Sequence, residues 1–130
     1  MTDPKPPPLA DEPYISLETF KKDGSGVKTP VWSAPLDGKL VVMSAGDAFK
    51  VKRLRRDPHA RVAACDMRGK VRGDWREATG RILDAPTDVE RAHAALRKKY
   101  GWQMAMGDFF ARIAGRINKR AWLEISFPAA

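Results

Sequence analysis

The sequence predicts a small, mainly β fold in which about six antiparallel strands, with two to three helices, close into a barrel. Three observations carry that expectation. About six segments read as short strands, and residues 14–20, 75–83 and 120–127 among them alternate apolar and polar residues with the period of a half-buried strand. Glycine- and proline-rich turns join the first three of them, the pattern of a meander. The helical stretches are too few to cover an open sheet, so the sheet has to bury its own inner face.

Order should set in near Tyr14, after an extended or disordered leader over residues 1–13, which holds Pro4 and Pro6-Pro7-Pro8. Residues 14–20 alternate as a strand, Lys21 to Gly26 is a turn, and residues 27–34 and 39–44 are the next strands. Pro35-Leu36-Asp37-Gly38 supplies hairpin chemistry between those two. Asp47 is an N-cap candidate for a short helix that carries Phe49, Val51 and Leu54 and ends before Pro58. Residues 61–67 and 75–83 are strands, the latter setting Ala78, Gly80 and Ile82 against Glu77, Thr79 and Arg81. Residues 87–100 have helical spacing, with Thr87 as cap and Glu90 completing a capping box. A second helix is expected over 104–117, its apolar side made by Met106, Phe109, Phe110, Ile113 and Ile117. A last strand over 120–127 closes the domain, which spans residues 14–130.

At 130 residues and 43% apolar content the chain fits one domain with one real core. No stretch approaches the roughly 20 apolar residues of a membrane helix, and the N-terminus lacks an apolar secretory core. The expectation is a soluble, cytoplasmic protein. The single cysteine, Cys65, sits in an apolar run and reads as a small buried thiol. One cysteine and two histidines, His59 and His93, give no metal-ligand set, so no metal is expected. The histidines stand in polar contexts and read as surface residues. The net charge of +8 should draw anions: nucleic acid, an acidic membrane surface or a multiply charged small ligand. Simple solubility charge is the plain alternative.

Three segments carry candidate chemistry. Lys50, Lys52 and Arg53 lie where a strand runs into a helix N-terminus, a natural anion site. Arg55 and Arg56 fit a solvated helix face instead. Pro30 within Lys28-Thr29-Pro30-Val31-Trp32 places that strand at an edge, where unpaired backbone groups can meet the rim of a flat heterocycle. Trp32 either lines that pocket or packs in the core. In Val42-Met43-Ser44-Ala45 small residues leave room at a strand end, and Ser44 either binds a phosphate or ribityl hydroxyl or caps a turn.

Taken in order, Gly26-Val27-Lys28-Thr29-Pro30-Val31-Trp32, Asp37-Gly38-Lys39-Leu40, Val42-Met43-Ser44-Ala45 and the run from Lys50 to Pro58 resemble the pyridoxamine-phosphate-oxidase-like superfamily. More narrowly they resemble its deazaflavin-dependent (coenzyme F420-dependent) oxidoreductases. Val62-Ala63-Ala64-Cys65-Asp66, Glu77-Ala78-Thr79-Gly80-Arg81 and Arg97-Lys98-Lys99-Tyr100-Gly101-Trp102 extend the resemblance from about Tyr14 to Phe127. The resemblance implies a split β-barrel, FMN-binding-like, that forms a homodimer with cofactor sites at the subunit interface. It implies that Lys50, eight positions before Pro58, contacts the cofactor phosphate. The strand from Lys28 to Trp32 would then pass the isoalloxazine-like ring, and Ser44 and Ala45 would lie near the phosphate and ribityl chain. Some relatives carry a basic residue where this chain has Ala48, which shifts the phosphate grip to Lys50, Lys52 and Arg53.

A chain of +8 suits coenzyme F420, with its carboxylate-rich tail, better than FMN, with one phosphate. The expected activity is hydride transfer from reduced F420 to an unsaturated or carbonyl-like small molecule, with FMN-dependent chemistry as the alternative. No catalytic side chain is identified. A non-catalytic module that carries a cofactor, or binds nucleic acid through Trp32, Trp75 and Trp102, is the competing class. Those tryptophans sit in periodic segments that favour packing, so neither a nucleic-acid nor a membrane partner is expected. Arg72-Gly73-Asp74-Trp75 either reaches a cofactor across a dimer interface or forms a hairpin with a packed indole. Met104, Met106, Phe109 and Phe110 fit helix core, a dimer contact or the roof of a substrate pocket.

Overall fold

The computed structural model describes residues 8–46 and 48–128. The expected cap at Asp47 and the start of the leader lie outside the described residues. Strands β1 (Tyr14–Phe20), β2 (Gly26–Val31), β3 (Ser33–Leu36), β4 (Lys39–Ala45), β5 (His59–Cys65), β6 (Arg76–Leu83) and β7 (Arg120–Ser126) form one antiparallel sheet. Helices α1 (Phe49–Arg56), α2 (Pro86–Tyr100) and α3 (Trp102–Ile113) accompany it.

There are seven strands rather than six because the expected strand over 27–34 breaks at Trp32. β2 pairs with β1 and β3 pairs with β4. The sheet order is β2-β1-β5-β6-β7-β4-β3, so the strands on either side of Trp32 are its two opposite edges. Val31 and Ser33 can be no more than about 7 Å apart along the chain. The sheet therefore curls until its edges meet at one residue, a split barrel joined by the chain rather than by a ladder. Pro30 sits on an edge strand, where its missing N–H leaves no ladder bond unmade.

Alternate side chains of the strands fill the barrel: Ile15, Leu17, Leu40, Val42, Val62 and Leu123 are all fully buried. Each such side chain contributes roughly 1.5–3 kcal/mol. A second core lies outside the barrel, where Val41 and Trp122 meet Ala92, Leu96 and Tyr100 of α2 and Met104 of α3. β4 and β7 are thus covered on both faces. α1 plugs one end of the barrel through Val51 and Leu54, and Leu54 rests directly on Gly80.

Four boundaries differ from expectation for local reasons. Order begins before Tyr14: a 3-10 helix over Pro8–Asp11 packs Leu9 and Ala10 into the main core. β5 stops at Cys65 because the Asp66 carboxylate accepts the N–H groups of Arg68 and Lys70, both at 2.9 Å, and turns the chain. α2 starts at Pro86, with Ala85 as N-cap and no side-chain cap, so Thr87 lies inside the helix. Proline suits the first helical position because its absent N–H would have had no partner there. α3 ends at Ile113 instead of continuing to Ile117, since Gly115 takes φ 71° and the Arg116 N–H closes onto the Ala111 carbonyl.

The largest difference concerns α3. Its expected core side is exposed: only Met104 and Asp108 are buried, while Met106, Phe109, Phe110 and Ile113 face outward. No helix among the described residues is long and apolar enough to cross a membrane.

Candidate functional site

β4 leaves the barrel at Ala45, and Gly46 turns the chain towards α1. The Gly46 N–H donates to the Lys119 carbonyl at 2.8 Å, and a Cβ at Gly46 would stand 2.5 Å from that oxygen. Glycine is required there because two backbones touch. This contact closes one end of a groove of about 700 Å³, walled by Met43, Ser44 and Ala45 on one side and by Ala111, Arg116, Lys119 and Arg120 on the other. Ser44 is buried and donates its hydroxyl to the Ala45 carbonyl at 3.2 Å. Ser44 thus caps locally and lines the groove as well.

Arg120 is fixed from behind. It donates to Asp108 at 2.6 Å and to the Gly107 carbonyl at 3.3 Å. Asp108 is 4% exposed and also meets His93 Nε2 at 2.9 Å and Arg97 at 3.5 Å. Burial by itself would raise the Asp108 carboxyl. The hydrogen bonds from Arg120 and His93 outweigh it and hold the group below the usual carboxylate range. His93 is therefore not the surface residue expected: it packs on Trp122 at 4.9 Å and belongs to this network.

The helix-borne cations lie elsewhere. Lys52 and Arg53 line a shallow, basic hollow of about 450 Å³ with Lys21, Lys22, Phe49 and Arg56. Arg53 donates to Thr19 Oγ1 at 2.8 Å, and Arg56 donates to the Phe20 carbonyl, so Arg56 is tied down rather than simply solvated. Lys50 is half-buried and lines neither cavity. Burial, and then the neighbouring Arg53 charge, push its ammonium below the usual lysine range.

The edge strand β2 presents a third group. Lys28 lies 5.2 Å over the Trp75 ring, which Arg61 also covers at 5.0 Å. The indole is thus packed within the chain. Thr29 Oγ1 is buried with no hydrogen-bond partner among the described residues. Pro30 is exposed and Val31 is in the core. Trp32 stacks on Tyr100 at 4.2 Å at the margin of the second core, and it also lines a cavity of about 260 Å³ with Tyr14, Lys99 and Tyr100. The Tyr100 hydroxyl accepts the Ser33 N–H at 3.0 Å and lies 2.8 Å from the Pro13 carbonyl. Burial raises its pKa to about 12.

Within one chain the fold brings Ser44 and Ala45 together with cations that sequence reasoning missed, Arg116, Lys119 and Arg120. The signal was the basic run Arg116-Ile117-Asn118-Lys119-Arg120, which divides between the end of the expected helix over 104–117 and the start of the last strand. Lys28 to Val31 and Lys50, Lys52 and Arg53 occupy separate places.

No family model and no curated protein matches the sequence. Solved structures do match the fold. A conserved hypothetical protein of Mycobacterium tuberculosis is 21% identical, with a TM-score of 0.69 over 99% of this chain and 85% of its own. A protein of Listeria innocua provisionally described as a pyridoxamine 5'-phosphate oxidase is 13% identical, with a TM-score of 0.60 over 90% of this chain and 85% of its own. An FAD-binding protein of Mesorhizobium loti is 17% identical, with a TM-score of 0.58 over 93% and 83%. The haem storage protein HutZ of Vibrio cholerae is 8% identical, with a TM-score of 0.69 over 92% and 84%. This chain shares the split β-barrel fold of these solved structures.

Proposed function

We propose that this chain binds an anionic tricyclic redox cofactor beside the β4–α1 corner and works as an oxidoreductase. Coenzyme F420 is the proposed cofactor, and an unsaturated or carbonyl-like small molecule is the substrate. The observation that carries the reading is the groove of about 700 Å³ with Met43, Ala45 and Ala111 on its walls and Arg116, Lys119 and Arg120 along one side. An apolar wall with a few convergent cations suits a flat ring bearing an anionic tail. The unpartnered Thr29 Oγ1 on the edge strand fits the same ligand class, since a polar ring edge would satisfy it.

When bound, reduced F420 supplies the hydride. The chain's own residues bind and orient. Asp108 holds Arg120 in one geometry, so its remaining N–H groups meet an anion without further ordering. Arg116 and Lys119, both exposed, attract the tail. Lys50, whose charge burial disfavours, gains more from a phosphate than a solvated lysine would. We place Lys28, Thr29, Pro30 and Val31 along the ring, Ser44 and Ala45 at the phosphate and ribityl chain, and Lys52 and Arg53 with Lys50. Because these groups lie apart within one chain, two copies pairing as a homodimer are the proposed way to complete each site.

FMN is the second reading, favoured by the shared fold with an FAD-binding protein. The test is titration of the purified protein with F420, FMN and haemin, followed by fluorescence quenching and by the haem absorption band. F420 should bind, and Lys50→Ala should weaken it about tenfold or more, the worth of a hydrogen bond to a charged group. Binding of haemin alone would make the chain a cofactor carrier. Binding of none of the three would remove the proposal.

A further inference from the structure

α3 carries an apolar face that the fold leaves uncovered. Trp102, Met106, Phe109, Phe110 and Ile113 are between 48% and 70% exposed. Their spacing of i, i+4, i+7, i+8 and i+11 puts all of them on one stripe. Met104 and Asp108, on the opposite side, hold the helix to α2 and β7. The stripe is thus not a poorly packed core side but a second, outward apolar surface.

Its surroundings are cationic. On α3 and the turn beyond it, from Trp102 to Lys119, three cations, Arg112, Arg116 and Lys119, stand against one acid, Asp108. That one acid is buried and already engaged by Arg120 and His93, so the stripe has no exposed carboxylate from its own segment. Arg112 lies one turn from Phe109 at the flank of the stripe, and Arg116 and Lys119 follow in the exposed turn beyond it.

We propose that this face of α3 is a docking surface for an anionic lipid leaflet. The helix lies in the plane of the interface, with its aromatic and aliphatic stripe among the acyl chains and its flanking cations at the headgroups. A helix of 12 residues is about 18 Å long, too short to span a bilayer. Charge selects the lipid over a second copy, because a two-fold contact through this stripe would set two such cationic segments against each other. The expectation of no membrane partner is revised on this ground, and the inference does not depend on which cofactor the groove takes.

The test uses the full chain with vesicles of pure phosphatidylcholine and of a two-to-one mixture with phosphatidylglycerol. Co-sedimentation with the mixed vesicles is expected, falling as salt rises, with little on phosphatidylcholine alone. Brominated lipid should quench tryptophan fluorescence, and Trp102→Phe should remove that quenching. The Phe109→Ser/Phe110→Ser double variant should lower partitioning at least about tenfold. If the double variant does not fold, Arg112→Glu, a single exposed change, probes the same surface and should weaken binding about fivefold. No binding to the mixed vesicles, or quenching that persists in Trp102→Phe, overturns the proposal. So does a dimer, seen by sedimentation velocity without lipid, that the double variant dissociates.

Discussion

Replacing Gly46 by alanine tests whether the β4–α1 corner is held by backbone contact. The added Cβ would stand 2.5 Å from the Lys119 carbonyl oxygen, and that oxygen belongs to the main chain entering β7, so no side chain can swing away. The strands have to part, and the Gly46–Lys119 hydrogen bond of 2.8 Å goes with them. Losing the bond costs about 1 kcal/mol, and forcing a carbon into a closed contact costs about 1–3 kcal/mol. The expected loss is about 2–4 kcal/mol, or about 10 °C in Tm for a domain of this size. Urea melts read it directly. Gly107→Ala is the internal control: the same atoms are added inside α3 where nothing lies within 4 Å. There the change should stabilise by about 0.5–1 kcal/mol, since alanine loses less entropy in a helix. The two substitutions should therefore have opposite signs. A Gly46→Ala melt within about 0.5 kcal/mol of the parent would refute the contact and the closed end of the groove.

Leu54→Ala should cost about 2–5 kcal/mol in urea melts, because Leu54 is 3% exposed and anchors α1 on Gly80. Asp108→Asn should cost about 3 kcal/mol by leaving Arg120 unpaired in a mostly buried setting. Because the Asp108 carboxyl is held below its ordinary range, its contribution is present above about pH 4 and is lost as pH falls through the depressed value. Melts of the parent should accordingly lose more stability than those of Asp108→Asn on acidification. Tyr100 is neutral when folded, with its pKa raised to about 12. Its contribution is complete below about 10, the ordinary tyrosine value, and falls as pH rises towards about 12. Ultraviolet titration should show one tyrosine ionising late, and Tyr100→Phe should remove that step.

Much of the fold was legible because its signals are local. The alternation in residues 75–83, the Asp37-Gly38 turn and the spacing of Ala92, Leu96 and Tyr100 reflect what a strand, a hairpin and a helix each need on one face. Residues 14–20 form a strand but not the half-buried one expected, since Ser16, Glu18 and Thr19 are buried as well. Where a boundary was misplaced, a side chain or a glycine intervened locally: Asp66 stopping β5, Gly115 stopping α3. The break at Trp32 had a different origin. Residues 27–34 look continuous in sequence, and only the pairing of one half with β1 and the other with β4 divides them.

The candidate site was legible in kind and not in membership. Basic residues near a strand end were visible at Lys50 to Arg53, and Ser44 and Ala45 were visible as small residues at the end of β4. That Arg116, Lys119 and Arg120 face Ser44 and Ala45 follows from β4 pairing with β7, a contact between segments far apart along the chain.

By itself the sequence determined where most strands and helices fall, how charged the chain is and that the strand holding Pro30 had to lie at an edge. Those properties follow from side-chain period, proline's missing donor and simple charge. Only the tertiary structure decided that β2 and β3 are the two rims of one curled sheet, and that the apolar residues of α3 look outward. Each depends on which surfaces meet. An amphipathic pattern specifies an apolar face without specifying what will cover it.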